Sequence, residues 1–146
     1  MEKIKGFTFI ELMVAVCIVA IITAVAIPSY MASVRKSHRA DAKVNLNDIA
    51  VRMQRCFTSN STFIGSPDYT CAVSDKLKTT DGVQSTYYKI TVDNGMTATS
   101  YKLTAVPLTG SPQQKDIDCQ SFTLDQSGKK QAFGGNPSGD TTDKCW

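Results

Sequence analysis

The side chains with chemistry to offer fall into three sets, and each points to a different kind of work. The first is one carboxylate, Glu11, at the head of a run from Leu12 to Ile27 that holds no charge. A helix rises about 1.5 Å per residue and a hydrocarbon core is about 30 Å thick, so Phe7 to Tyr30 is long enough to cross it. An ionised Glu in such a span costs about 2.5–3.5 kcal/mol on insertion scales and calls for a cationic partner. The second set is the five cysteines. Cys17 lies in the apolar run, where it packs as a small apolar side chain. Cys56, Cys71, Cys119 and Cys145 follow in more polar sequence. Four cysteines beyond an anchor in a small domain favour two disulfides and an oxidising compartment. They lack the close C-x-x-C spacing of zinc sites, so no metal is expected. Three pairings are open to the sequence; the sequential one, Cys56–Cys71 and Cys119–Cys145, is the expectation. The third set is basic. Arg35, Lys36, His38, Arg39 and Lys43 follow the apolar run, with Asp41 the one acid among them. Lipid headgroups, a neighbouring protein or DNA would suit such a patch, but a solvated helix face with contacts to a neighbour is the reading preferred.

The later cations, Lys76, Lys78, Lys89, Lys102, Lys115, Lys129, Lys130 and Lys144, alternate with Asp93, Asp116, Asp118, Asp125, Asp140 and Asp143. Their order in the chain gives no stripe that could be assigned to a nucleic acid. His38 is the single histidine and has no evident partner for catalysis or metal binding. There is no Gly-rich phosphate loop, no close carboxylate pair and no Ser/His/Asp arrangement. The reading is a protein that is not an enzyme and carries no cofactor.

These groups must be positioned by a small number of elements. The chain has 146 residues and a net charge of +3, enough for one modest domain besides the apolar segment. Lys3 and Lys5 lie before that segment and hold the leader on the cytoplasmic side. Past Pro28 the sequence from Met31 to Phe57 contains no Gly or Pro. Ala42, Leu46, Ile49, Met53 and Cys56 recur at alternating steps of four and three, one apolar stripe of a helix. Residues 58–84 are polar and broken by Gly65, Pro67 and Gly82, which reads as a loop anchored by Phe63, Ile64 and Tyr69. Tyr88, Ile90 and Val92 alternate with polar neighbours, as do Tyr101, Leu103 and Ala105, and each set reads as a half-buried strand. Asp93-Asn94-Gly95 reads as the hairpin turn between them. Phe122 and Leu124 mark a third strand, and Lys130 to Phe133 a short fourth. The fold class is α+β: a long N-terminal helix packed on a three- or four-stranded antiparallel sheet. Trp146 is expected to pack under the C-terminal loop.

The stretch GFTFIELMVAVCIVAIITAVAIPSY resembles the class III signal of the type IV prepilins. Tyr101 to Pro107, then Cys119-x-x-Phe122-Thr123-Leu124-Asp125-x-x-Gly128, then Cys145-Trp146, is most similar to PilE-type minor pilins. The resemblance implies a leader 1–6, a membrane and filament-core helix 7–30, and a globular domain 31–146. Within that domain it implies an amphipathic helix 31–57, a loop 58–84, a sheet 85–133 and a disulfide-bounded loop 119–145. It implies that a prepilin peptidase cuts between Gly6 and Phe7 and that Phe7 is then N-methylated. The new amine would pair with Glu11, the assembly carboxylate, and Pro28 would bend or locally melt the stem. Ala20 stands where the family often has Gly, and the pair Cys56 and Cys71 departs from many members. The partners implied are other pilin subunits, the peptidase, the inner membrane and the pilus assembly platform. The location implied is the bacterial inner membrane and then the extracellular pilus. The function implied is that of a pilus subunit, a minor pilin that promotes filament assembly and supports adhesion, twitching motility or DNA uptake. Two alternatives stay open: a DNA-binding pilin for natural transformation, and a type II secretion pseudopilin.

Overall fold

The computed structural model describes residues 6–64, 77, 82–93, 95–135 and 139–146. The expectations for Tyr69, Cys71, Lys76, Lys78, Asn94 and the leader before Gly6 lie outside these residues. The chain divides into two units, Met1–Val34 and Arg35–Trp146. One helix, α1 (Phe9–Asn60), contributes to both. The helix expected over 31–57 is thus the continuation of the stem, and it runs three residues further than the composition suggests.

In the first unit the apolar side chains have nothing to bury against. Phe7 is 82% exposed, Ile21 69% and Val25 71%. This segment gives an 18-residue window of mean hydropathy 2.8, long and apolar enough to cross a membrane. Its one threonine within the helix is satisfied locally. The Thr23 hydroxyl donates to the carbonyls of Val19 and Ala20 at 2.9 and 3.0 Å, so it needs no water. Pro28 sits inside α1, which continues through it. Proline brings no N–H, so the Ala24 carbonyl one turn earlier has no partner at that position.

In the second unit the stripe Ala42, Leu46, Ile49, Met53 and Cys56 is buried, as its spacing predicts. It shares a core with Tyr88, Ile90, Leu103, Ala105, Phe122, Leu124 and Ala132. Each large apolar side chain fully buried in this way contributes about 1.5–3 kcal/mol. The sheet is an antiparallel meander in the order β1 (Val83–Gln84), β2 (Tyr88–Val92), β3 (Lys102–Pro107), β4 (Ser121–Asp125) and β5 (Lys130–Phe133). Ile90, Ala105, Phe122 and Ala132 stand in register as one inward row. A 3-10 turn (Pro112–Lys115) precedes β4, and a short helix α2 (Thr142–Cys145) closes the chain.

Three details differ from expectation. The sheet has five strands, because β1 pairs Val83 with Ile90 and Gln84 with Lys89 at the end of the polar segment. A two-residue strand has no periodicity to read. It depends on Gly82, whose φ of +57° is costly for a side chain and whose added Cβ would run into the Ile90 carbonyl oxygen. The connection from β2 to β3 is longer than a tight hairpin. The Met96 N–H meets the Asp93 carbonyl, the Thr97 N–H meets the Ser100 carbonyl, and β3 begins at Lys102. Finally, Phe63 is buried between Phe57, at 4.6 Å, and Tyr101, at 4.8 Å, whereas Ile64 is 41% exposed.

Candidate functional site

At the start of the stem, Thr8 and Glu11 form the first turn of α1. The Thr8 hydroxyl accepts the Glu11 N–H at 3.3 Å, the geometry of a helix N-cap in a T-x-x-E sequence. Glu11 therefore occupies the third helical position, where a carboxylate is favoured by the helix dipole. No cation meets its side chain among the described residues. Gly6 and Phe7 precede the helix; a side chain at Gly6 would meet nothing within 4 Å, so local packing leaves this peptide accessible.

The basic residues after the stem do not form the uniform solvated face expected of them. Arg39 is buried, with its Nε and Nη2 donating to the two carboxylate oxygens of Asp116 at 2.7 and 2.9 Å. The side chains are 10% and 4% exposed, so this two-pronged pair lies inside the fold. Gln113 beside it donates to the Tyr88 hydroxyl at 2.8 Å and to the Arg35 carbonyl at 3.1 Å. Burial raises the Tyr88 pKa above its ordinary value, with the Gln113 bond opposing. Asp41 accepts from the Ser85 hydroxyl at 2.7 Å and the Tyr87 N–H at 3.1 Å, which fixes the β1–β2 turn to α1. His38 stacks on Tyr87 with ring centroids 3.8 Å apart. These contacts have no local signal, since the partners lie 25 to 78 residues apart.

The C-terminal region is built by covering the free edge of β5. Thr141 N–H meets the Ala132 carbonyl, Thr142 Oγ1 accepts the Ala132 N–H, and Asp140 bridges to Phe133. The Cys119–Cys145 disulfide, with Cα atoms 5.8 Å apart, ties the return segment to the start of β4. Cys56 is buried and disulfide-bonded, while its expected partner Cys71 lies outside the described residues. Cys17 is a free, exposed thiol.

Beyond Cys145, Trp146 packs edge-on against Phe122 at 5.9 Å and its indole N–H donates to the Gln131 carbonyl at 2.7 Å. Two ammonium groups approach the same ring: Lys130 Nζ at 5.1 Å and Lys43 Nζ at 6.0 Å from its centroid. Lys43 also donates to the Trp146 backbone oxygen at 3.0 Å. Its pKa is lowered, first by burial and then by the charges of Arg39, Lys130 and Lys36. Lysines far apart in sequence thus meet here. Of the other cations, Lys102 pairs with Asp93 at 3.7 Å and Lys144 with Asp118 at 2.9 Å, and Lys144 holds the Asp118 carboxyl below its usual range. Lys36, Lys43 and Lys130 form no ion pair with an Asp or Glu side chain among the described residues. Lys130 also stands on the rim of a groove of about 670 Å³ between α1 and the β4–β5 turn, lined in part by Asn47, Val51, Gln54, Arg55 and Gln126.

Comparison with known proteins gives this arrangement its context. Residues 1–27 match the model of the prokaryotic N-terminal methylation motif. Residues 28–123 match the family described as type IV minor pilin ComP, DNA uptake sequence receptor. The type IV major pilin protein PilA of Myxococcus xanthus is 34% identical over 59 residues, 40% of this chain and 27% of that protein. A probable minor fimbrial protein of Dichelobacter nodosus is 27% identical over 71 residues, 49% of this chain and 45% of that protein. The alignments thus cover less than half the length of either relative. Among solved structures, the non-core minor pilin PilV of Neisseria meningitidis superposes with a TM-score of 0.55 at 22% identity, over 71% of this chain and 91% of that one. That likeness is one of fold. With this family model covering more than half of the chain, from the end of the stem to the middle of β4, the protein belongs to the type IV minor pilins of the ComP family.

Proposed function

We propose that this minor pilin is a low-abundance subunit of a type IV pilus and that it receives DNA for uptake. The match over residues 28–123 to a family described as a DNA uptake sequence receptor carries this reading. The approach of Lys43 and Lys130 to one ring, neither paired with an Asp or Glu side chain among the described residues, supports it. Promotion of filament assembly becomes the companion role.

The stem supplies the assembly chemistry. A prepilin peptidase cuts between Gly6 and Phe7, Phe7 is N-methylated, and the chain waits in the inner membrane through its apolar segment. At the assembly platform the Phe7 amine of one subunit and Glu11 of another neutralise each other as stems bundle. Lipid tails are as apolar as the stems, so packing and charge neutralisation drive this step. Pro28 marks where the stem can yield on bundling, because a carbonyl one turn earlier is already without a helix partner. Cys56–Cys71 and Cys119–Cys145 form in the oxidising compartment outside the membrane.

Titration of the full chain in a neutral detergent with a labelled mixed-sequence duplex tests the DNA role. Binding that weakens steeply as salt rises from 50 to 200 mM is expected, as counterion release requires (roughly 0.9 log unit in slope per phosphate contact). Absent or salt-independent binding removes the DNA role and leaves the assembly role standing.

A further inference from the structure

We infer that Lys43 and Lys130, held over the ring of Trp146, form a preorganised site for two phosphates of a DNA strand, with Trp146 as its positioning residue. The inference rests on the DNA reading above and assigns it a place. An ammonium on a lysine stem is a mobile point charge, and fixing it costs rotamer entropy on binding. Here that entropy is spent in folding. Attraction between each ammonium and the indole face holds both near one centroid, 5.1 and 6.0 Å away. The Trp146 backbone oxygen fixes Lys43 further.

The ring itself cannot drift. Its N–H is anchored on the Gln131 carbonyl, its edge rests on Phe122, and the preceding residue is tied through the disulfide to Cys119. Burial, and then the positive charges of Arg39, Lys130 and Lys36, act against protonation of Lys43, and of these cations Arg39 is paired with Asp116. Two like charges held together are an unfavourable arrangement in the free protein, and a phosphodiester relieves it. Because the lysines occupy the indole, the ring serves as a pedestal and does not stack on bases. The site accordingly reads backbone charge and contributes affinity without sequence preference.

The roles predict separable signatures in duplex titrations of the full chain in neutral detergent. Lys43→Ala and Lys130→Ala each remove a phosphate contact, so each lowers the salt slope by about 1. Trp146→Ala leaves both ammoniums present but unfixed, so affinity falls about three- to tenfold while the slope stays unchanged. Trp146→Phe keeps the pedestal and recovers most of the loss. Trp146 is the single tryptophan, so its emission in the wild-type chain should change on titration with duplex DNA and return on adding salt. Thermal melts and a free-thiol count confirm that each variant keeps its fold and disulfides. Should Trp146→Ala lose its fold, the two lysine variants and the emission change decide alone. Wild-type binding with an unchanged slope in both lysine variants overturns this site and leaves the DNA reading intact. A slope that falls in Trp146→Ala makes Trp146 more than a positioning residue and overturns the pedestal. A wild-type chain that binds no duplex overturns the reading and the site together.

Discussion

Glu11, in the apolar sequence of the stem, and Asp116, in a polar segment of the globular unit, are both carboxylates, yet the chain provides for them differently. Asp116 is 4% exposed at its side chain and holds Arg39 through two hydrogen bonds. Glu11 has its backbone capped by Thr8 and its side chain unmet by any cation among the described residues. A charge that the fold itself buries arrives with a partner from the same chain, because an unpaired buried charge costs several kcal/mol. In the proposed function, the charge left unmatched in the apolar segment is matched by the amine of another subunit. On that proposal the difference separates a group that maintains the subunit from one that joins subunits.

The comparison is sharpest where one partner is removed. Asp116→Ala should destabilise the globular unit by about 3–5 kcal/mol, since Arg39 stays buried without its counterion. Replacing both, as Arg39→Met with Asp116→Leu, should cost less than the single change; a denaturant melt of each variant measures this. Equal costs would mean that packing, not charge, is what the pair supplies. Next in size, Cys119→Ser with Cys145→Ser should cost about 2–4 kcal/mol, because the return segment covering β5 is no longer tied to β4. The Trp146 emission should report the loosening in the same melt.

Glu11→Ala is expected to reverse the pattern. It should leave the melt of the globular unit unchanged and reduce the chain recovered in sheared filaments by about tenfold, a loss of about 1.4 kcal/mol in assembly. Processing and membrane retention should be normal by immunoblot of membrane fractions. Normal filament recovery would end the distinction between the two carboxylates.

The smallest effect belongs to the exposed pair Lys144–Asp118. The bond from Lys144 lowers the Asp118 pKa below 3.8. A folded-state pKa below the unfolded one gives stability that is present above about pH 4 and is lost as pH falls through the lowered value. Lys144→Gln should therefore flatten the acid limb of the stability profile slightly, and solvent screening keeps the change near the limit of a thermal melt.

What could be read beforehand follows the range of each interaction. The helix stripe from Ala42 to Cys56 and the inward residues of β2, β3 and β4 were legible, because periodicity is a local property. The Cys119–Cys145 bond and the packing of Trp146 were legible through resemblance and burial. Arg39 was misplaced on a solvated face, because its partner Asp116 lies 77 residues away and helix spacing says nothing of it. The approach of Lys43 and Lys130 to one ring was hidden for the same reason, since they reach Trp146 from α1 and β5, elements far apart in sequence. β1 was missed because two residues carry no period and the pairing depends on one glycine.

In the proposed function the carboxylate of the stem, Glu11, is completed by the amine of another subunit on assembly. Quantitative mass spectrometry of sheared surface filaments tests this most directly. A chain at low stoichiometry beginning with N-methylated Phe7 is the result expected of a minor pilin whose leader has been removed. A chain that still carries Met1 to Gly6, or a processed chain found in membranes and absent from filaments, would contradict it.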